Sequence, residues 1–193
     1  MELNQLLNQD PLYVFAMTEE AGSAFAHVPA LFTGLGKINA CYALTKAIAQ
    51  KRPGIIINLG SAGSNVYKRE SVICCTKFIQ RDMDVTALGF ELYKTPFSED
   101  PLIISYGLSL PPIPEGICGS GDSFETDHNT HQYNVVDMEA YALALVAQRE
   151  QIPFLCLKYI TDGADGSSAN DWQTSLKNAS RDLKAAIDTA SSR

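Results

Sequence analysis

Apolar residues in this chain gather into short unbroken runs, separated by stretches in which they recur at helical spacing. Residues 12–16 form a brief apolar run that predicts a strand. Residues 37–50 carry apolar side chains at Ile38, Cys41, Leu44 and Ile48, the spacing of one helix face, and Pro53-Gly54 ends that pattern. Ile55-Ile56-Ile57 predicts a buried strand ending at Asn58-Leu59-Gly60-Ser61-Ala62-Gly63, and residues 71–78 predict another strand. From 80 to 101 the chain is irregular and aromatic-rich, and Pro111, Pro112 and Pro114 mark a second loop. Val135-Val136 predicts a strand, residues 139–150 a helix of strong helix formers, residues 153–161 a strand, and residues 171–191 a closing amphipathic helix. Strands alternating with helices predict an α/β fold with a largely parallel sheet. There is no internal repeat and no interdomain linker, so residues 1–193 read as one domain.

Composition narrows the partners. A chain of 193 residues can bury a sizeable core, and 46% hydrophobic with 19% charged residues is ordinary for a globular protein. The net charge of −7, with no Lys/Arg cluster, argues against nucleic acid or an anionic membrane surface as a partner. No stretch approaches the length of a membrane span, and Met1-Glu2-Leu3-Asn4-Gln5 lacks the basic and long apolar regions of a signal peptide. Cys41, Cys74, Cys75, Cys118 and Cys156 are odd in number and mostly sit in apolar segments, so they read as reduced, buried thiols of a cytoplasmic protein. No C-x-x-C is present. His128-Asn129-Thr130-His131 has ligand-like spacing without a third ligand, so it reads as a solvated loop, and no metal is expected.

Two acidic segments carry the chemistry. Val135-Val136 runs into Asp137-Met138-Glu139, and Phe154-Leu155-Cys156-Leu157 runs through Lys158 into Asp162-Gly163-Ala164-Asp165. An apolar run that stops at an acid reads as a buried strand delivering a carboxylate to a sheet edge, where open α/β sheets bind ligands. Singly, Asp162 and Asp165 are turn formers around Gly163, and Asp137 is a helix start. Together they predict a functional rim, because each carboxylate otherwise loses solvation for no return.

The small-residue loops are less specific. Gly34-Leu35-Gly36-Lys37 opens a helix and reads equally as a tight turn or as a loop whose backbone N–H groups meet a ligand. It is a weak dinucleotide fingerprint, with Ala40 in the third glycine position. Ser61, Ala62 and Gly63 follow a buried strand, where small residues let a ligand approach the backbone; a plain strand-to-helix turn is the alternative. Phe124, in Gly121-Asp122-Ser123-Phe124, reads equally as a stacking platform or as a core residue.

Seven segments occur in an order that identifies a family: Ala16-Met17-Thr18-Glu19-Glu20, Gly34-Leu35-Gly36-Lys37, Asn58-Leu59-Gly60-Ser61-Ala62-Gly63, Asp84-Val85-Thr86-Ala87-Leu88-Gly89-Phe90, Gly121-Asp122-Ser123-Phe124, Asp137-Met138-Glu139-Ala140 and Thr161-Asp162-Gly163-Ala164-Asp165. From Leu12 to the final helix the chain resembles the nucleoside phosphorylase superfamily. Within it, the chain is most similar to the bacterial 5′-methylthioadenosine/S-adenosylhomocysteine nucleosidases. The resemblance implies a single-domain nucleosidase-like α/β fold, a central mixed sheet flanked by helices, and no cofactor. It implies hydrolysis of the N-glycosidic bond between adenine and a 5′-thio-substituted ribose, as in methylthioadenosine and S-adenosylhomocysteine. Such a reaction has an oxocarbenium-like transition state, so the base must be helped to leave and the sugar's positive charge stabilised. By the same resemblance Asp162 is the general acid that protonates adenine N7, and Glu20 holds and activates the attacking water with Ser61. Glu139 accepts from the two ribose hydroxyls while Met138 packs on the sugar. Phe124 stacks on adenine and backbone groups of Glu125 read its edge. Leu88, Phe90 and Trp172 line an apolar pocket for the 5′-alkylthio group. In the family the last of these comes from the neighbouring subunit, which implies a homodimer; Trp172 reads equally as a core residue.

Several positions depart from the family. The span from Glu20 to Gly34 is short where the family has an additional β-hairpin, and the loop after Phe97 is trimmed. Lys158 stands where the family has an arginine supporting the water site, and an ammonium lacks the guanidinium's bidentate fork. Glu125 occupies a position that is usually apolar in the nucleosidases, which alters the purine rim. Two other functions compete with hydrolysis. A purine nucleoside phosphorylase would need an anion site, and residues 17–22 carry two glutamates and no arginine. A non-catalytic purine-nucleoside-binding protein would have little reason to keep Glu20, Glu139 and Asp162 together.

Overall fold

The apolar runs become strands, and the sheet they build is mixed. The computed structural model describes residues 3–165 and 168–191, with side chains for 4–165, 176 and 178–191. In chain order the elements are α1 (Leu3–Leu7), β1 (Pro11–Phe15), α2 (Thr18–Ala21), β2 (Ala30–Phe32), α3 (Lys37–Gln50), β3 (Ile55–Gly63), β4 (Val72–Gln80) and β5 (Ile104–Ser105). Then come β6 (Glu115–Ser120), β7 (Val135–Asp137), α4 (Ala140–Arg149), β8 (Phe154–Asp162) and α5 (Ser168–Ser191). Trp172 falls in the backbone of α5, but its side chain lies outside the described residues.

β3 is the hub. It pairs in parallel with β1 on one side and with β8 on the other, and β1 carries β2 at the sheet's edge. β8 pairs antiparallel with β4, β4 parallel with β6, and β6 parallel with β7. β7 returns antiparallel to β3 at Gly63–Val136, so β3, β7, β6, β4 and β8 close into a ring. The sheet is largely parallel, as the alternation of strands and helices predicts, and mixed, as the resemblance implies, because β5, β7 and β8 each bring an antiparallel pairing.

Two further expectations change. Residues 60–63 do not follow the strand as a turn but are the last part of β3 itself, buried except for the half-buried Ser61. Small side chains there let neighbouring strands and the cavity wall close on the backbone. In α3 the inward stripe is Ala40, Leu44 and Ile48, each one turn apart, while Ile38 is 80% exposed and Cys41 is also exposed. The thiol expectation is therefore corrected at Cys41; the other four cysteines are buried and none is in a disulfide.

Strand alternation divides the core in two. Ile56, Phe78, Cys156 and Ile160 face α3 and α4 through Leu44 and Leu143. Ile57, Leu59, Leu157 and Tyr159 face α5 through Leu183 and Ile187. Phe78 and Phe154 meet edge to face at 5.5 Å, the geometry that ring quadrupoles favour. Fully buried side chains of this size each contribute about 1.5–3 kcal/mol of transfer free energy, so the two layers fix the strand ends on which the site is built. No helix among the described residues is long and apolar enough to cross a membrane.

Candidate active site

A cavity of about 250 Å³ opens where β1, β3, β7 and β8 end, and Glu20, Asp137, Glu139 and Asp162 all line it. All four carboxylates are buried, between 3% and 6% exposed. Each is held by a different device.

Glu20 sits in the single turn α2 directly after β1. Its Oε2 accepts from the backbone N–H groups of Ala16 and Met17 at 3.1 and 3.4 Å. Its Oε1 accepts from both the N–H and the hydroxyl of Ser61, each at 2.8 Å. Glu20 thus bridges the end of β1 to β3, and four donors offset the cost of burying its charge.

Asp162 ends β8. Its Oδ1 accepts from the Ala164 N–H at 2.9 Å, and its Oδ2 lies 2.8 Å from the Thr161 hydroxyl. The β3–β8 ladder sets Gly63 opposite Asp162 after a shift in register at Ala62/Gly63. A Cβ on Gly63 would stand 2.6 Å from Asp162 Oδ1, so only glycine leaves room for this carboxylate.

Asp137 ends β7 and forms an ion pair with Lys158 at 2.7 Å, with both side chains buried. It also accepts from the Ser120 hydroxyl and from the Ala140 N–H at 2.9 Å. Burial alone would raise the Asp137 carboxyl, but the Lys158 ammonium and these donors outweigh it and hold the group below its ordinary range. Burial alone would likewise lower Lys158; Asp137 above all holds it well above its ordinary value.

Glu139, the residue before α4, has a different balance. Its Oε1 accepts from the Gly36 N–H at 2.8 Å. Burial, followed by repulsion from Asp137, pushes its carboxyl up to about 8, against the smaller pull of Lys158 and Gly36. Near neutral pH this side chain holds a proton while its neighbour Asp137 stays ionised. Such a split between adjacent carboxyls is common where acid and base roles are divided. The Gly34-Leu35-Gly36-Lys37 loop therefore meets the protein's own carboxylates. Lys37 completes it, its N–H reaching Asp122 at 2.7 Å and its ammonium reaching Asp82 and Asp122 at 2.6 and 3.0 Å.

The structure brings Ser61, Ala62, Gly63, Phe124, Glu125 and Met138 to the cavity wall with the carboxylates. Phe124 is half exposed there rather than buried in the core. Lys158 stands behind Asp137 and does not line the cavity, so its charge reaches the site through Asp137. Leu88 and Phe90 are not brought to the wall. Leu88 closes a 3₁₀ turn, Thr86–Leu88, and is 75% exposed, while Phe90 packs edge to face on Phe97. His128 is buried rather than solvated, stacked on the Tyr133 ring with Nε2 3.1 Å from the Tyr133 carbonyl. Among the described residues no group of three His, Cys, Asp or Glu side chains is placed to hold a metal.

Met17, Leu35 and Arg81 also line the cavity and were not expected there. Arg81 follows β4 directly and opens a polar, irregular stretch, which gave no sign that it lines a cavity. The matching strand ends at Asp137 and Asp162 drew attention because they were acidic.

Known proteins share this fold. The 5′-methylthioadenosine/S-adenosylhomocysteine nucleosidase of Helicobacter pylori superposes with a TM-score of 0.83 at 21% identity, over 94% of this chain and 98% of that one. Futalosine hydrolase of Helicobacter pylori strain 26695 superposes with a TM-score of 0.82 at 21% identity, over 94% and 98%. The nucleosidase of Neisseria meningitidis gives 0.79 at 22%, over 94% and 97%. At such identities these structures share the fold. The family model of the phosphorylase superfamily matches residues 21–192, nearly the whole chain. Built on that fold and matched along that length, the chain belongs to the phosphorylase superfamily.

Proposed function

We propose that this protein hydrolyses the N-glycosidic bond of purine nucleosides carrying a 5′-thio substituent, with methylthioadenosine and S-adenosylhomocysteine as the reference substrates. The observation that carries the reading is the meeting of Glu20, Glu139 and Asp162 in one buried cavity beside an exposed aromatic ring. Similar folds include nucleosidases, one of them solved with 5′-methylthioadenosine in its active site.

In this reading the base stacks on Phe124 and the sugar lies over Met138 against Glu139. The C1′–N9 bond breaks with its electron pair going to the base, and Asp162 delivers a proton to N7. The oxygen of a water held by Glu20 and Ser61 bonds to C1′, and Glu20 takes the released proton. The products are a free purine and a free 5′-thio pentose. The Thr161 hydroxyl suits this role for Asp162. Its single proton has two acceptors in reach, the Ala62 carbonyl at 3.2 Å and Asp162 Oδ2 at 2.8 Å. Given to Ala62, it leaves an oxygen ready to accept from a protonated Asp162.

Water is favoured over phosphate as the nucleophile because Arg81 is the only Arg or Lys among the described residues of the wall, and it is engaged with Glu125. A phosphate near Glu20 would face carboxylates instead of cations. The test is base release from methylthioadenosine with and without phosphate. Equal rates and a free sugar product support hydrolysis. A sugar 1-phosphate makes the chain a phosphorylase, and no turnover with tight purine binding makes it a binding protein.

We further propose that the working form is a homodimer in the cytoplasm, where its five unpaired thiols would stay reduced. Leu35, Ile38 and Tyr42 are 51%, 80% and 68% exposed along one face at the start of α3, and Leu35 also lines the cavity. A second copy seated on that face would cover these side chains and the cavity's rim together.

A further inference from the structure

The wall that carries Phe124 also carries a buried ion pair that the reaction does not use. The Arg81 side chain is 5% exposed and that of Glu125 is 19% exposed. One terminal nitrogen of Arg81 lies 3.3 Å from Glu125 Oε2 and donates to the Ser123 hydroxyl at 3.2 Å. The other donates to the Ser123 carbonyl and, at 3.5 Å, to the Gly121 carbonyl. The Nε–H is buried and has no hydrogen-bond partner. A Cβ on Gly121 would stand 2.9 Å from the guanidinium carbon, so the backbone there makes room for this cation. Both residues of the pair line the same cavity as the half-exposed Phe124 ring.

We infer that Arg81 and Glu125 read the edge of the base and select a 6-oxopurine over adenine. This rests on the nucleosidase reading above and names the base for it. A guanidinium offers donors only, and an ionised carboxylate offers acceptors only. A 6-oxopurine presents a carbonyl oxygen at C6 beside an N1–H donor, so both groups of the pair find a partner. Adenine presents the reverse, an amine at C6 beside an unprotonated N1. It satisfies the pair only by setting N1 against the guanidinium.

The chemistry separates the two bases further. As the C1′–N9 bond stretches, electron density enters the purine. In a 6-oxopurine that density gathers on O6, next to Arg81. In adenine a cation at N1 makes N7 less basic and opposes the proton transfer from Asp162. The same pair therefore assists one leaving group and hinders the other.

The experiment compares base release from methylthioinosine and methylthioadenosine by the full chain. The expected kcat/KM favours methylthioinosine by about tenfold or more, the worth of one charge-assisted hydrogen bond. Arg81→Met should bring the ratio of the two kcat/KM values to about one, because it costs methylthioinosine more than methylthioadenosine. A parent enzyme that prefers methylthioadenosine overturns the inference. So does an Arg81→Met variant that loses both activities equally, since that is the mark of a structural role. Calorimetric binding of free hypoxanthine and free adenine reads the same edge without turnover. If neither nucleoside is cleaved but hypoxanthine still binds about tenfold more tightly, the hydrolase reading falls and the base assignment stands. Equal or tighter binding of adenine ends the assignment.

Discussion

Asp162 is positioned from three sides: the Ala164 N–H, the Thr161 hydroxyl and the bare backbone of Gly63. Asp162→Asn keeps that shape but has no proton to give. Base release should fall by about 10²–10⁴ with purine binding retained, and parent-like turnover would remove Asp162 as the acid. Glu139 gives a prediction in pH. Its folded carboxyl titrates near 8, above the ordinary value of 4.5, so the folded chain binds a proton that the unfolded chain releases. The stability this provides is fully present below pH 4.5 and is lost as pH rises through about 8. Glu139→Gln, which mimics the protonated form, should raise the thermal midpoint at pH 8 relative to the parent but not at pH 4. About 1 kcal/mol moves the midpoint of a domain this size by about 2–4 °C, so a shift of several degrees is measurable. An equal effect at both pH values would contradict the raised carboxyl. These carboxylates were legible in the sequence because each follows an apolar run or belongs to an ordered motif. Arg81 was not, because it opens a polar, irregular stretch in which no local signal marks the wall of a cavity.

At the level of elements, β7 and β8 meet through charge as well as through the ring of strands. Lys158 and Asp137 are buried at 2.7 Å, and removing one partner of such a pair typically costs about 3–5 kcal/mol, because the other is left uncompensated. Lys158→Met should therefore be strongly destabilising in urea unfolding, and adding Asp137→Asn to it should restore part of the loss. A double variant as unstable as the sum of the two singles would mean that the pair is not coupled. Most elements could be read from periodicity, since β1, β4, β8 and the long helices carry clear apolar patterns. β2 and β6 could not. β2 is three residues long, and β6 has the sequence Glu115-Gly116-Ile117-Cys118-Gly119-Ser120, whose glycines and flanking prolines read as loop. Both are strands because neighbours in the sheet offer them ladders, which no local sequence window contains. The stripe of α3 was misplaced for a related reason. The core takes Ala40, Leu44 and Ile48, and the more apolar Ile38 is left facing out.

For the whole molecule, that outward face is the test of assembly. If Leu35, Ile38 and Tyr42 are covered by a second copy, the parent should sediment as a dimer and Ile38→Glu with Tyr42→Ser should sediment as a monomer with reduced turnover. A parent that sediments as a single chain at assay concentration would rule the homodimer out. Leu88 and Phe90, which the resemblance led one to expect in the pocket, stand off the cavity in the single chain. Motif order carries over which residues a family keeps, but not how a shortened loop settles. The thiols offer a way to follow assembly directly. Burial pushes Cys74 up to about 12 and Cys118 up to about 11, and Cys75 and Cys156 are sealed in the same core, so these four are poor nucleophiles. Cys41 is exposed, one turn along α3 from Ile38. The native chain thus carries a single ready point of attachment for a maleimide dye, and it lies on the face where a second copy would land. Labelling of native protein should stop at one equivalent and should slow as concentration rises, so dye uptake alone would report how two chains meet.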